Sequence, residues 1–119
     1  PKDVMNRQKM ADIFSQINRL CFCGHTHEPG IFTEDMKFFT PRALMNRARL
    51  IPGKKYVINI GSVGQPRDSD TRACYVVFDQ DENIIEYRRV EYDFRKTMEK
   101  ITANRMIPSK FAARLAVGK

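Results

Sequence analysis

Two short apolar runs, each emptying into a polar loop that carries glycine, constrain this chain most. Leu20-Cys21-Phe22-Cys23 runs into Gly24-His25-Thr26-His27, and Tyr56-Val57-Ile58 runs into Asn59-Ile60-Gly61-Ser62-Val63-Gly64-Gln65-Pro66-Arg67-Asp68. Short apolar runs bounded by turn signals read as buried strands. Strand ends that open into glycine-bearing loops are where α/β folds place polar sites, because glycine lets a ligand approach backbone N–H groups. The first loop holds both histidines of the chain. Two imidazoles one residue apart, followed by the turn Glu28-Pro29-Gly30, can converge on one point or on two adjacent points. Neutral imidazole is the commonest metal ligand, and Gly24 lets the backbone bend sharply enough to bring both rings inward. A bare G-H-x-H string is equally compatible with two histidines that merely share a loop.

The remaining periodicity places these loops on a mixed framework. Met10, Ile13, Phe14 and Ile17 follow helical spacing and predict a helix from Asp3 to Ile17, with Asp3 as its cap. Ile31–Thr33 and Met36–Phe39 predict a hairpin turning at Glu34-Asp35. Thr40-Pro41 reads as a cap followed by proline at the first helical position, which predicts a short helix to about Arg49. Strands are predicted over Lys55–Ile60, Ala73–Asp79 and Ile84–Tyr92. Asp93 then caps a helix carrying Phe94, Met98 and Ile101, and Ser109 caps a last one with Phe111 and Leu115. The expected class is α+β, a mixed and mostly antiparallel sheet with flanking helices. The aromatics Phe38, Phe39, Tyr56, Tyr75 and Phe78 fall at strand spacing and belong to the core or a sheet face.

Composition sets bounds. At 119 residues, 42% of them hydrophobic, the chain is globular and has room for one modest core. No stretch has the length of a membrane span or a secretory signal. Three cysteines cannot all pair with one another, and Cys21, Cys23 and Cys74 read as reduced thiols on strands, which points to the cytoplasm. Cys21, Cys23, His25 and His27 alternate as a zinc set would need to share one side. Ligands at every second residue of an extended strand stand about 6–7 Å apart, too far to wrap a tetrahedron. The net charge of +7 is spread along the chain. It is read either as a solvated surface or as attraction for phosphate-bearing substrates. No sequence-reading nucleic-acid motif is present.

Gly24-His25-Thr26-His27-Glu28-Pro29-Gly30-Ile31-Phe32-Thr33 and Asn59-Ile60-Gly61-Ser62-Val63-Gly64-Gln65-Pro66-Arg67-Asp68 together resemble the metallophosphoesterases, the calcineurin-like phosphoesterase superfamily, in a bacterial branch carrying G-H-T-H and G-S-V-G-Q-P-R-D. The resemblance runs from about Leu20 to the C-terminus. That family builds a dinuclear metal centre from D-x-H, G-D-x-x-D, G-N-H-[DE], another histidine and a final G-H-x-H. Only the last is present: no glycine precedes an aspartate, and no Asn-His pair occurs. The chain also opens on Pro1. The resemblance therefore implies residues 1–119 as a single partial domain, the C-terminal half of a two-sheet sandwich whose N-terminal metal-binding motifs are absent.

What it implies for function follows residue by residue. His25 would bind one divalent ion and His27 a second, about 3.5–4 Å away, so that metal-activated water attacks a phosphomonoester or phosphodiester. Manganese, iron, zinc and magnesium all remain open. Asn59, Gly61 and Ser62 would position backbone donors toward substrate, and Arg67 would offer a bidentate fork to phosphate. Alternatively the two glycines shape a strand exit and Arg67 pairs with Asp68 or Asp70. Ser62 has no spare histidine to activate it as a nucleophile. Without the bridging carboxylates the chain is expected to be inactive and to bind metal weakly or not at all. The expected partners are a phosphate-ester substrate, the missing N-terminal half, and a second copy through an exposed sheet surface. The alternative function is a non-catalytic binding module with a basic, anion-binding surface.

Overall fold

The computed structural model describes residues 6–119. Helix α1 covers Arg7–Gln16, with Asn6 at its N-cap, where the Asn6 side chain accepts from the Lys9 amide at 3.0 Å. Met10 and Phe14, one turn apart, are its buried residues. The predicted cap Asp3 lies outside the described residues. The strands are β1 (Leu20–Cys23), β2 (Gly30–Thr33), β3 (Phe38–Phe39), β4 (Arg47–Arg49), β5 (Tyr56–Asn59), β6 (Ala73–Asp79) and β7 (Ile84–Val90). Helices α2 (Phe94–Ala103) and α3 (Lys110–Val117) follow.

These strands form two sheets, of order β1-β5-β2-β3 and β4-β7-β6. Among the described residues only β1 and β5 run parallel, and every other pairing is antiparallel. The sheets meet face to face through Ile31, Tyr56 and Ile58 on one side and Leu50, Cys74, Ile85 and Tyr87 on the other. Strand periodicity explains the second core. In β2 and β5 the alternate residues Phe32 and Val57 point to the opposite face of the first sheet, where α1 lays Met10 and Phe14 across them. The order of layers is thus helix, sheet, sheet. This is the mixed α+β architecture expected of half a two-sheet sandwich. Cys21 and Cys23 pack beneath α1, whereas Leu20 packs toward the space between the sheets.

The hairpin forms as predicted but is shorter on its second strand, because Met36 takes φ 63° within the turn and only Phe38 and Phe39 pair. The predicted helix from Thr40 to Arg49 is corrected. Thr40 does cap, its hydroxyl accepting from the Ala43 amide at 3.2 Å, and the Leu44 amide reaches back to the Thr40 carbonyl. The turn then stops at Met45 and Asn46, both in the left-handed region, with the Asn46 amide bonded to the Pro41 carbonyl at 2.7 Å. Arg47–Arg49 instead pairs antiparallel with Ile84–Glu86. Ladder pairing against β7 outweighs the modest helical preference of a single turn.

At the C-terminal end Asp93 caps α2 as predicted, accepting from the Lys96 amide at 3.3 Å. Ser109 occupies the N-cap of α3 but makes no side-chain capping bond. Helix α2 contributes no buried residue, and Ala112 and Leu115 are the buried residues of α3. Gly118 ends α3 at φ 62°, and its carbonyl accepts from the Ser69 amide at 2.9 Å. A Cβ at Gly118 would stand 2.8 Å from the Asp70 nitrogen, so glycine lets the helix end dock on that loop. No helix among the described residues is long and apolar enough to cross a membrane.

Ile58 has no exposure and sits at the centre of the inter-sheet core. Replacing it with alanine is expected to destabilise the chain by about 2–5 kcal/mol through lost contacts and a residual cavity. Urea unfolding checks this: the midpoint should fall while the slope stays constant.

Candidate functional site

The parallel pairing of β1 with β5 puts Cys23 opposite Asn59, so both strands end side by side and their loops leave from one edge. The Ile60 amide donates to the Cys23 carbonyl at 2.9 Å, extending that contact into the loops. In the first loop His25 has φ 66° and His27 φ 64°. Left-handed backbone costs a non-glycine residue roughly 1–2 kcal/mol, so two such residues in three must be held by their surroundings. Asn59 is one of the holders. Its Nδ2 donates to the Gly24 carbonyl at 3.1 Å and to Thr26 Oγ1 at 2.8 Å, and its Oδ1 accepts from the Gly61 amide at 3.0 Å. Its own carbonyl accepts from the Tyr87 hydroxyl at 3.0 Å, and burial pushes that phenol's pKa up. Asn59 is therefore a buried polar residue, 4% exposed, whose side chain ties the two loops together.

The second loop returns to the first. Ser62 Oγ accepts from the Gln65 amide at 2.9 Å, and the Ser62 carbonyl accepts from the Cys74 amide at 2.8 Å. His27 Nδ1 lies 2.8 Å from the Gln65 carbonyl oxygen, and the Arg67 amide donates to the His27 carbonyl at 3.1 Å. Arg67 Nη2 donates to Gln65 Oε1 at 2.9 Å, while Arg67 Nε is buried without a hydrogen-bond partner. A buried guanidinium N–H left open is uncommon and is a ready donor for an acceptor. Gly61 has φ 78°, and a Cβ there would stand 2.9 Å from Cys74 Sγ and 3.1 Å from Pro29 Cβ, so the loop crosses a space with no room for a side chain.

The carboxylates beside the loop are engaged elsewhere. Arg89, whose side chain is 9% exposed, pairs with Asp68 and approaches Asp70 at 3.8 Å. Arg72 forks onto Asp70 at 2.7 and 3.0 Å. The Arg72 guanidinium, with help from its backbone amide and from Arg89, holds the Asp70 carboxyl down at about 2. Arg67 thus pairs with neither aspartate. Burial raises the Cys74 thiol to about 11, and burial together with Cys21 raises that of Cys23. Neither thiol is poised as a thiolate nucleophile. No group of three or more His, Cys, Asp or Glu side chains gathers as a metal site among the described residues. Two imidazoles are the nitrogen donors this chain offers.

Of the residues singled out in the sequence, His25 and His27 fall on the first loop, Gly61, Ser62 and Arg67 on the second, and Asn59 ends β5 beside them. His27 and Arg67 are in direct contact; Asn59 turns inward and works between the loops. Sequence reading passed over Gln65, Thr26 and Tyr87. Gln65 acts partly through a backbone carbonyl, which every residue possesses and no pattern marks. Tyr87 carried only the signal of a strand aromatic, although a buried phenol needs a partner for its hydroxyl.

A family model described as the calcineurin-like phosphoesterase superfamily domain matches residues 2–83, and the chain belongs to that superfamily. It is 41% identical over 108 residues to the uncharacterized protein MJ0912 of Methanocaldococcus jannaschii, covering 91% of this chain and 42% of that protein. It is also similar to the crystal structure of a metallophosphoesterase from Sphaerobacter thermophilus. That likeness has a TM-score of 0.76 and 33% identity, and covers 95% of this chain and 47% of the other. The chain therefore spans less than half the length of these relatives. Members of the superfamily generally bind divalent metals, and the likeness extends to an archaeal chain.

Two predictions follow from this geometry. Gly61→Ala must either strain φ or push Cys74 and Pro29 away; a loss of about 1–3 kcal/mol is expected, read as a lowered thermal midpoint. The second concerns acid. Asp70 has a folded pKa of about 2 against an ordinary unfolded value near 3.9, so the unfolded chain takes up its proton first. The stabilisation is complete above about pH 4 and is lost as pH falls toward about 2. Urea unfolding of the unaltered chain and of Asp70→Asn should differ most at about pH 5 and converge near pH 2.

Proposed function

We propose that this chain is the C-terminal part of a dinuclear-metal phosphoesterase that hydrolyses phosphomonoesters or phosphodiesters, and that alone it is inactive. The observation that carries the reading is the convergence of the two loops. His27 is bonded to Gln65 and Arg67 at the shared end of β1 and β5, in a chain of the calcineurin-like superfamily. The donor chemistry fits divalent ions in part: two imidazoles suit such ions, and the carboxylates a two-ion site needs would come from outside this chain. His25 and His27 would each hold one ion. Bound divalent ions offset phosphoryl charge and make water acidic enough to attack phosphorus near neutral pH.

The chain's own residues then have separable tasks. Arg67 offers its guanidinium to a phosphoryl oxygen and orients the ester. Asn59 keeps the histidine loop in its left-handed form, Gly61 lets the second loop pass close to Cys74 and Pro29, and Ser62 fixes the turn before Gln65. Chain beyond these residues would cover β1, which pairs with β5 alone among the described residues, and Phe22, 44% exposed against Phe78. Left uncovered, that edge is expected to draw in a second copy.

The test compares this chain with the product of the complete gene that encodes it, using p-nitrophenyl phosphate and bis-p-nitrophenyl phosphate with added manganese or zinc. The complete product should turn over at least one ester, and His27→Ala should cut that rate by about 100-fold or more. The chain alone should stay at background. Activity of the isolated chain would overturn its assignment as an inactive part, and a metal-loaded complete product without phosphatase activity would overturn the enzyme reading.

A further inference from the structure

We infer that the segment Gln65–Arg67 is a clamp that fixes His27 in the tautomer protonated at Nδ1, leaving Nε2 as its ligating nitrogen, with Pro66 as the positioning residue. The inference rests on the reading of His27 as a metal ligand and deepens it. A carbonyl oxygen can only accept, so the 2.8 Å contact with Gln65 requires the proton on His27 Nδ1. A neutral imidazole with that proton carries its lone pair on Nε2. The same segment also grips the backbone of His27, through the Arg67 amide at 3.1 Å. Ring and main chain are thus held by residues 65 and 67, one on either side of Pro66.

Pro66 is itself fully buried, and its ring fixes φ, so the Gln65 carbonyl and the Arg67 amide keep their relative direction. Two further bonds brace the clamp: Gln65 N to Ser62 Oγ at 2.9 Å, and Arg67 Nη2 to Gln65 Oε1 at 2.9 Å. The arrangement distinguishes the two histidines. No hydrogen bond to the His25 ring is found among the described residues, so its tautomer is left to solvent or to a ligand. A hydrogen-bonded partner on the non-ligating nitrogen orients the ring before metal arrives and raises the basicity of the ligating one.

The experiment is long-range nitrogen–proton NMR of the imidazoles, on this chain and on the metal-free product of the complete gene, at a pH where both histidines are neutral, followed by zinc titration of the complete product. His27 should show the Nδ1-protonated form and His25 a mixture. Zinc should perturb His27 at Nε2. In Pro66→Ala, with sheet amide shifts unchanged to establish folding, His27 should relax toward a mixture and zinc should bind about 10-fold more weakly. A mixed or Nε2-protonated His27 in the unaltered chain overturns the clamp whatever the variant does. A folded Pro66→Ala that keeps tautomer and affinity overturns the role of Pro66. The expected tautomer with no zinc response at His27 leaves the clamp standing and overturns the ligand reading on which its purpose rests.

Discussion

Ile58 and Ile85, both without exposure, pack into the core where the two sheets face each other. Everything else hangs on that core. It fixes the separation of the sheets, and so brings the Tyr87 hydroxyl to the carbonyl of Asn59, the residue after Ile58. Asn59 in turn reaches Gly24, Thr26 and Gly61 with its side chain. Apolar burial is non-directional and sets only the spacing. The buried polar hub converts that spacing into a defined loop geometry, because each of its groups is costly to bury unpaired.

The loops show how strain is accommodated next to a candidate site. Positive φ at both His25 and His27 is unfavourable for side chains with a Cβ. It persists because the neighbouring loop supplies donors and acceptors on both sides. Arg67 is the reverse case, a partly satisfied guanidinium with one buried N–H still open. The acidic residues that might have quenched it are held by Arg72 and Arg89. Charge pairing beside the loop therefore leaves Arg67 available, which composition and net charge alone do not reveal.

The relatives in the superfamily are more than twice as long as this chain. Half of a sandwich can form its own inter-sheet core, since Ile31, Ile58, Ile85 and Tyr87 all lie within this chain. A two-ion centre is different in kind. Its ligands must approach one point from several strand ends, and among the described residues no three His, Cys, Asp or Glu side chains gather in that way. Folding information is spread along the chain by periodicity, whereas coordination is concentrated at a point and is readily divided.

How much was legible can be argued from particular residues. Leu20–Cys23 and Ala73–Asp79 were readable to the residue, because apolar runs ending in glycine or in polar turns state both their type and their limits. The histidine loop and the Asn59–Asp68 segment were recognisable as glycine-bearing strand exits, and the structure sets them side by side. Arg47–Arg49 was not readable as a strand: nothing local to it favours extension, and its pairing with Ile84–Glu86 lies more than thirty residues away. By itself, the sequence determined the candidate residues and the limits of the apolar strands, since residue type and period are local properties. The tertiary structure alone decided that Gln65 faces His27, that Arg89 rather than Arg67 takes Asp68, and that Asn59 turns inward. Those outcomes depend on which atoms non-local strand pairing brings within hydrogen-bond reach, and that distance is not written in any single segment.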